Sequence, residues 1–366
     1  VKKAPTLRFK GFTNDWEQRK LGEISNIIAG GDKNINKIKK YGKYPVIANS
    51  INKNGIVGYY DNEYRVKAPA VTVTGRGEIG HAVARFQNFT PIVRLLALSS
   101  KLDPIFLANS INKIRFFNES TGVPQLTKPQ LSTYSIIIPS VEEQNNIGKL
   151  ILLIEKYIHL QQRKLKLLKV MKKALSQYMF CQEIEFVPIL RFNSFSDKWK
   201  YERLKNLIVK EIKGKAKADM KGTKSTYIDT ALLNGGSITK VDSPTDTFHN
   251  DIIILWDGSQ AGKIYHGFTG ALGSTLKSYK PKYSGGFLYQ YLKSKEPIIF
   301  LRYRTPNIPH VVKDFTEIFK INIPSVKEQE KISKTLNYLD QSILVETKKI
   351  GSIKKIKKFL LQNMFI

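Results

Sequence analysis

A single cysteine, Cys181, stands in 366 residues, so no disulfide framework and no cysteine-based zinc site can form within the chain. Histidine is almost as sparse. His81, His159, His249, His266 and His310 are scattered and form no HxxxH pair. No apolar run is long enough to cross a bilayer, which argues against a membrane role. A P-loop is absent, so ATP-driven translocation by this chain is not expected. Neither an Asn-Pro-Pro-Tyr-like motif for amino-methylation nor an arguable Ser-His-Asp or Cys-His set occurs. Glu211-Ile-Lys213 has the letters of a nuclease E-x-K motif, but no upstream Pro-Asp accompanies it, and a metal-dependent nuclease needs clustered carboxylates.

The other shortage is acid. Thirty Asp and Glu face sixty Lys and Arg, a formal net charge of +30. Such an excess adds nothing to fold stability, but it attracts a polyanion by displacing condensed counterions from phosphates. Nucleic acid is the leading partner, and an acidic protein is the alternative. Hydrophobic residues make up 42% of the chain, with 19 Phe and 17 Tyr, enough for true cores rather than a disordered basic tail. The length suits two domains. No signal peptide is visible after the initial Val1, and the scarce cysteine fits a reducing compartment, so a cytoplasmic location is expected.

What the chain does contain is a repeat. Pro5-Thr-Leu-Arg-Phe-Lys-Gly-Phe12 returns as Pro188-Ile-Leu-Arg-Phe-Asn-Ser-Phe195, and Trp16 and Leu21 return as Trp199 and Leu204, at an offset of 183. Ile136-Ile-Ile-Pro-Ser-Val-Glu-Glu-Gln144 returns as Ile321-Asn-Ile-Pro-Ser-Val-Lys-Glu-Gln329. That offset of 185 continues without a gap to Met179-Phe180 and Met364-Phe365. Residues 25–120 and 208–304 share little beyond one glycine-containing hairpin. Matching framework and divergent inserts therefore alternate along a pseudo-twofold chain.

The second matching block carries an apolar stripe at heptad-like spacing. It comprises Ile147, Ile151, Ile154, Ile158, Leu165, Leu168, Leu175 and Met179, repeated as Ile332, Leu336, Leu339, Ile343, Ile350, Ile353, Leu360 and Met364. Gln161 and Lys172, and at the matching places Glu346 and Lys357, interrupt it. So narrow a stripe expects another helix as its partner. Pro139 and Pro324 end a strand, Ser140 and Ser325 are candidate N-caps, and Glu143 and Glu328 sit three residues on, as in a capping box. A helix of some 37 residues spans about 55 Å at about 1.5 Å per residue. Two copies in one chain would bury each other as an antiparallel pair, giving a rod with a globular domain near each end; an ordinary amphipathic pair inside one domain and a homodimer zipper are the alternatives.

The inserts read as mixed, β-rich units with alternating segments such as Ala70-Val-Thr-Val-Thr74, Ala82-Val-Ala-Arg-Phe86 and Asp251-Ile-Ile-Ile-Leu-Trp256. Gly75-Arg-Gly-Glu-Ile-Gly80 matches G-x-G-x-x-G, but a dinucleotide site needs a helix to open there, and His81–Phe86 alternates like another strand. A hairpin is the expectation, with Asp257–Gly262 as its counterpart. The candidate DNA contacts are basic loops and polar readers, since Lys and Arg neutralise phosphates while Asn, Gln and Arg read base edges. In the first insert they are Lys33, Lys37, Lys39, Lys40, Lys43, Asn49, Asn52, Lys53 and Arg76. In the second they are Lys213, Lys215, Lys217, Lys221, Lys224, Tyr227, Gln260, Lys263, Arg302 and Arg304. No catalytic or metal-binding residue is expected.

The repeated Pro-x-Leu-Arg-Phe-x-x-Phe…Trp block and the repeated Ile-Pro-Ser-Val-x-Glu-Gln run into a long helix resemble the specificity subunit of type I restriction–modification systems, over essentially the whole chain. The resemblance implies an α+β chain in which two mixed β-rich target-recognition domains are separated by two long antiparallel coiled-coil helices. Residues 1–138 would form the first recognition domain, 139–181 the central helix, 182–323 the second recognition domain and 324–366 the C-terminal helix. It implies a non-catalytic subunit whose domains each read half of a bipartite double-stranded DNA target, with helix length setting the gap. Two methyltransferase subunits would dock on the helices, and restriction subunits would join them for cleavage. S-adenosylmethionine, ATP and Mg²⁺ would belong to those partners. The competing readings are a stand-alone enzyme acting on DNA and a two-headed basic adaptor for acidic proteins.

Overall fold

The structure, a computed structural model, describes residues 4–116, 125–181, 185–307 and 309–366. The domain boundary expected at residue 182 lies outside the described residues. The chain forms two compact units, Val1–Gln162 with Lys348–Ile366, and Arg163–Thr347. Each unit thus takes the first part of one long helix and the last part of the other.

The first unit contains β1 (Glu17–Lys20), α1 (Leu21–Ile24), β2 (Ser25–Ala29), β3 (Tyr44–Ile47), β4 (Ile56–Tyr60), β5 (Ala70–Thr74), β6 (Ala82–Arg85), β7 (Thr90–Pro91), β8 (Leu95–Ser100), α2 (Pro104–Ile111), α3 (Lys128–Thr133) and β9 (Ser135–Ile138). The long helix α4 (Val141–Tyr178) begins here. Strands β2, β8, β5 and β6 form an antiparallel sheet in that order. Strand β3 pairs antiparallel with β4 and parallel with β7, and β1 pairs with β9 from Glu17↔Ile138 to Lys20↔Ser135.

The second unit contains β10 (Lys200–Arg203), β11 (Ile208–Lys213), β12 (Lys221–Ile228), α5 (Thr230–Leu233), β13 (Lys240–Val241), β14 (Ile252–Leu255), β15 (Ile264–His266), β16 (Ala271–Leu272), β17 (Leu276–Pro281), α6 (Gly285–Ser294), α7 (Glu296–Arg302), α8 (Phe315–Ile318) and β18 (Lys320–Ile323). The second long helix, α9 (Val326–Asn363), begins here. The strand orders β11-β17-β14-β15, β13-β12-β16 and β10-β18 repeat those of the first unit, down to the single parallel pairing of β12 with β16. Divergent inserts therefore keep one topology.

Two local expectations change. In β5 the alternation of Val and Thr is not an inside–outside pattern, because all five residues are buried. The Thr72 hydroxyl accepts from Arg85 Nε at 2.9 Å and donates to the Val83 carbonyl at 3.3 Å, so a polar side chain sits in the interior with its bonds made. The capping box is also incomplete. Ser140 and Ser325 do cap α4 and α9, accepting from the N–H groups of Glu143 and Glu328 at 3.3 and 3.4 Å. The two glutamates, however, turn away from their caps. Glu143 takes a bidentate bond from Arg8 (2.6 and 2.8 Å) and one from the Trp16 indole at 3.2 Å. Glu328 takes the same bidentate bond from Arg191, at 2.8 Å for each contact. Both carboxylates are almost fully buried. The Arg of each Leu-Arg-Phe block thus clamps the chain start of its repeat to the helix start of the same repeat.

The helix ends serve the opposite repeat. In the first unit the Leu7 N–H donates to the Asn363 carbonyl at 2.9 Å, and Phe365 stacks on Phe106 at 5.5 Å beside Trp16. In the second unit Leu190 N–H donates to the Tyr178 carbonyl at 2.8 Å, and Phe180 packs edge-on against Phe287, which meets Trp199. Both helices end two residues before the repeated Phe, which leaves Phe180 and Phe365 free to turn into these cores. Gly148 on α4 faces the Asp103 cap of α2, where a Cβ would come within 2.1 Å of the carboxylate.

Within the first unit Ile147 and Ile151 of α4 share a buried cluster with Met364 and Phe365, and Leu360 packs against it. Farther along, Lys357 of α9 pairs with Glu155 of α4 at 2.7 Å. Position numbers rise on one helix as they fall on the other, so the segments are antiparallel. Ile350 is buried, and Ile154, Ile158 and Ile353 are half-buried. Within the second unit Ile332, Leu336 and Leu339 are buried, and Leu165, Leu168, Leu175 and Ile343 are half-buried. Lys172 pairs with Asp340 there. The offset of 185 maps this ion pair onto Glu155–Lys357, so two of the four polar interruptions of the stripe are one salt bridge made twice. Gln161 and Glu346 are buried, and Glu346 is paired with Lys164.

Candidate nucleic-acid interface

In the first unit the loops that follow β2, β3, β5 and β7 meet at one end of the sheets. The Asn49 side chain holds two of them together. Its Oδ1 accepts from Gly75 N–H at 2.7 Å and from Arg76 N–H at 3.3 Å, and its Nδ2 donates to the Arg76 carbonyl at 2.7 Å. Gly75 N–H also donates to the Arg94 carbonyl at 2.9 Å, and Val93 N–H to the Gly31 carbonyl at 2.9 Å. A Cβ on Gly75 would lie 2.6 Å from the Arg94 carbonyl, so this junction needs glycine. The G-x-G-x-x-G letters therefore shape the β5–β6 hairpin, in register from Ala70↔Arg85 to Val73↔Ala82, and no helix opens there.

This end of the unit is cationic. Lys53 and Arg94 are exposed, Arg76 is half-buried, and none of the three side chains pairs with an acid among the described residues. Asn52 and Asn54 are exposed beside Lys53, and Glu78 is the acid of the hairpin tip.

Other expected contacts lie elsewhere. Lys39 bonds Asp61 at 2.5 Å and Lys37 bonds Glu63 at 2.9 Å. The Lys43 carbonyl accepts from Gln87 Nε2 at 2.5 Å. These groups sit where β3 begins and β4 ends, the far side of a hairpin about 13 Å long at about 3.3 Å per residue. The run 33–43 contains acid-free lysines in sequence, but the fold brings Asp61 and Glu63 to it. Lys33 and Lys40 are exposed, and Lys40 lies over the Tyr41 ring. Asn49, expected to read bases, is instead committed to the backbone of the hairpin.

The corresponding loop end of the second unit is engaged differently. Lys263 Nζ donates to Asn234 Oδ1 and Gln260 Oε1, both at 3.2 Å, and the Tyr265 hydroxyl reaches Asn234 Oδ1 at 3.3 Å. Arg304 Nη2 donates to the Ser259 carbonyl at 3.3 Å. Arg302 is exposed at the end of α7. Tyr227 is half-buried and packs against Ala216, Val241 and Ala271. Lys215 and Lys217 lie on the loop after β11, Lys213 ends that strand, and Lys221 and Lys224 lie on β12, all five exposed.

Sequence reasoning missed Arg94. It is a lone cation between Val93 and Leu95, and nothing in the string says that its turn meets the β5–β6 hairpin. Among the described residues no group of three or more His, Cys, Asp or Glu is placed to hold a metal ion, and no helix is long and apolar enough to cross a membrane.

Two repeats of one topology, each closed by a buried Arg–Glu clamp and each presenting polar and basic loops at one end, define a duplicated recognition scaffold. The family model described as "Type I restriction modification DNA specificity domain" matches twice, over residues 13–170 and 196–355. The chain belongs to this family. It is similar to the type I restriction enzyme MjaVIII specificity subunit of Methanocaldococcus jannaschii, 34% identical over 178 residues that cover 46% of this chain and 42% of that protein. It is also similar to the putative type I specificity subunit S.MpnORF89P of Mycoplasma pneumoniae, 29% identical over 151 residues that cover 40% of this chain and 45% of that one. The matches thus span less than half the length of these two relatives. The crystal structure of a type I restriction-modification S subunit from M. genitalium shares the fold, with a TM-score of 0.74, 17% identity and 99% of both chains covered.

Proposed function

We propose that this chain is the DNA-recognition subunit of a type I restriction–modification complex, and that each unit reads one half of a bipartite duplex target. The observation that carries the reading is the double match of the family model to a chain of net charge +30 whose two units keep one strand order but differ in their loop ends. Shared strand order gives both units the same way of presenting loops. Different loop chemistry gives them different sequences to read.

The helices that both units share set the interval between the half-sites and carry the partners. Support for partner docking lies on their outer faces. Leu153, Leu160 and Met171 of α4 are exposed, and the offset of 185 places the exposed Tyr338, Val345 and Ile356 at the same positions of α9. Apolar residues repeated in this way fit an amphipathic helix from each of two methyltransferase subunits. The chain itself performs no bond-making step. S-adenosylmethionine, ATP and Mg²⁺ are bound by the methyltransferase and restriction subunits, and the work takes place in the cytoplasm.

The test is to express the chain with its methyltransferase partners and map the methylated sites. A split motif with a fixed gap is expected. The chain alone, given Mg²⁺, ATP and S-adenosylmethionine, should neither cut nor methylate duplex DNA, and intrinsic activity would contradict the reading. Inserting one helical turn near residue 161 should lengthen the gap and leave both half-motifs intact. Binding that does not weaken with salt would favour an adaptor for acidic proteins instead.

A further inference from the structure

Three non-glycine residues among those described hold a left-handed backbone, Lys53 (φ 49°), Asn54 (φ 55°) and Arg94 (φ 70°). All three lie at the loop end of the first unit. Asparagine tolerates this region because its short amide can bond locally, whereas a long side chain such as lysine or arginine carries a steric cost there. Such strain persists where surrounding structure enforces it, and it gathers at functional sites.

The enforcement is visible at Arg94. Val93 N–H is tied to Gly31, Leu95 N–H to the Ile92 carbonyl at 3.1 Å, and the Arg94 carbonyl accepts from Gly75. Glycine would meet all of these backbone demands without strain. The second unit shows that the topology does not require the strained conformation. There Leu276 N–H bonds the Gly273 carbonyl at 3.0 Å as Leu95 bonds Ile92, which makes Thr275 the counterpart of Arg94. The Thr275 carbonyl accepts from Trp256 N–H at 2.8 Å, yet Thr275 is not among the residues of positive φ. The Arg94 side chain makes no hydrogen bond or ion pair with a described residue, so it adds nothing to the fold that would offset its backbone.

We propose that Arg94 is a specificity-determining residue of the first unit, and that its guanidinium reads a guanine in the major groove, with Lys53 and Arg76 on the flanking phosphates. Arginine presents a planar fork that matches the O6 and N7 acceptors of guanine, whereas a lysine ammonium can reach these acceptors but lacks the fixed fork that holds two bonds in the base plane. A rigid turn that holds the Cα fixed reduces the freedom lost when the side chain docks. The proposal rests on the DNA-recognition reading above.

The experiment uses the full chain in complex with its methyltransferase subunits and maps methylated sites for the parent, R94G, R94K and, as a control, K37A. R94G relieves the backbone and removes the side chain. R94K keeps the charge and loses the fork. In both Arg94 variants one guanine position of one half-motif should become degenerate, discrimination there falling about ten- to a hundredfold. The other half-motif and the gap should be unchanged, and the thermal midpoint of R94G should be equal or higher. K37A should leave the motif intact. An unchanged motif in R94G, or a loss that is uniform across sequences and restored in R94K, would overturn the assignment. A parent complex that methylates no split motif would instead remove the function on which the assignment rests.

Discussion

The two units have the same three sheets in the same strand order, yet the hairpins at their loop ends are bonded differently. In the first unit Lys53, Arg76 and Arg94 have no acidic partner among the described residues, on turns fastened by Asn49 and Gly75. In the second, Lys263, Gln260, Asn234 and Tyr265 already bond one another, and Arg304 holds a carbonyl of the hairpin. Framework positions change little because each does a job in both units: Arg8 and Arg191, Glu143 and Glu328, Phe365 and Phe180. Most insert positions are freer to change, because beyond a few fixed points such as Asn49, Thr72 and Gly75 the fold asks of them strand propensity and a packed inward face. Recognition can therefore be altered in one unit without disturbing the clamp that assembles it.

The largest expected effect is on the clamp. Glu143→Ala strands a partly buried guanidinium and the Trp16 indole, and should cost about 3–5 kcal/mol. Glu328→Ala should cost about 1 kcal/mol less, because the Trp199 Nε1 makes no hydrogen bond to lose. Denaturation followed by tryptophan fluorescence separates the cases, since Trp16 reports the first unit and Trp199 with Trp256 the second. Equal losses in both variants would break the comparison. Next, Phe365→Ala and Phe180→Ala should each cost about 3 kcal/mol, and each should loosen the unit that receives the aromatic ring rather than the repeat that supplies it.

A pH difference should follow. Burial holds the His266 imidazole down to about 4, stacked on Tyr289 at 5.2 Å. The unfolded chain takes up this proton near pH 6.5 and the folded one near 4, so stability of the second unit should fall as pH falls through that window. His81 and His159 of the first unit are exposed, so that unit has no histidine stacked in its interior as His266 is. Urea midpoints at pH 7.5 and 5 measure the difference, and His266→Phe should flatten it. The smallest effect is expected at the repeated helix bridge. Lys357→Met, which removes a half-exposed pair with Glu155, should change stability by under about 1 kcal/mol.

Much of this architecture was legible in the string. The repeated Leu-Arg-Phe and Ile-Pro-Ser-Val blocks marked the framework, and the heptad-like stripe marked the helix faces, because period and repetition survive without coordinates. The use of Glu143 was not legible. A glutamate three residues after a serine cap has two available partners, and only the fold brings Arg8 within 2.6 Å. The loop ends were the least legible. Lys37 and Lys39 looked free because Asp61 and Glu63 follow two strands later, and Arg94 looked isolated because the Gly75 turn reaches it only in space. Loop contacts between distant segments leave no periodic trace.

The most direct test exchanges residues 25–120 for the corresponding insert of another specificity subunit and maps the sites methylated by the reconstituted complex. One half-motif should change to that of the donor, while the other half-motif and the gap stay as they were. A change in both half-motifs, or in neither, would contradict two independent readers held on a shared pair of helices.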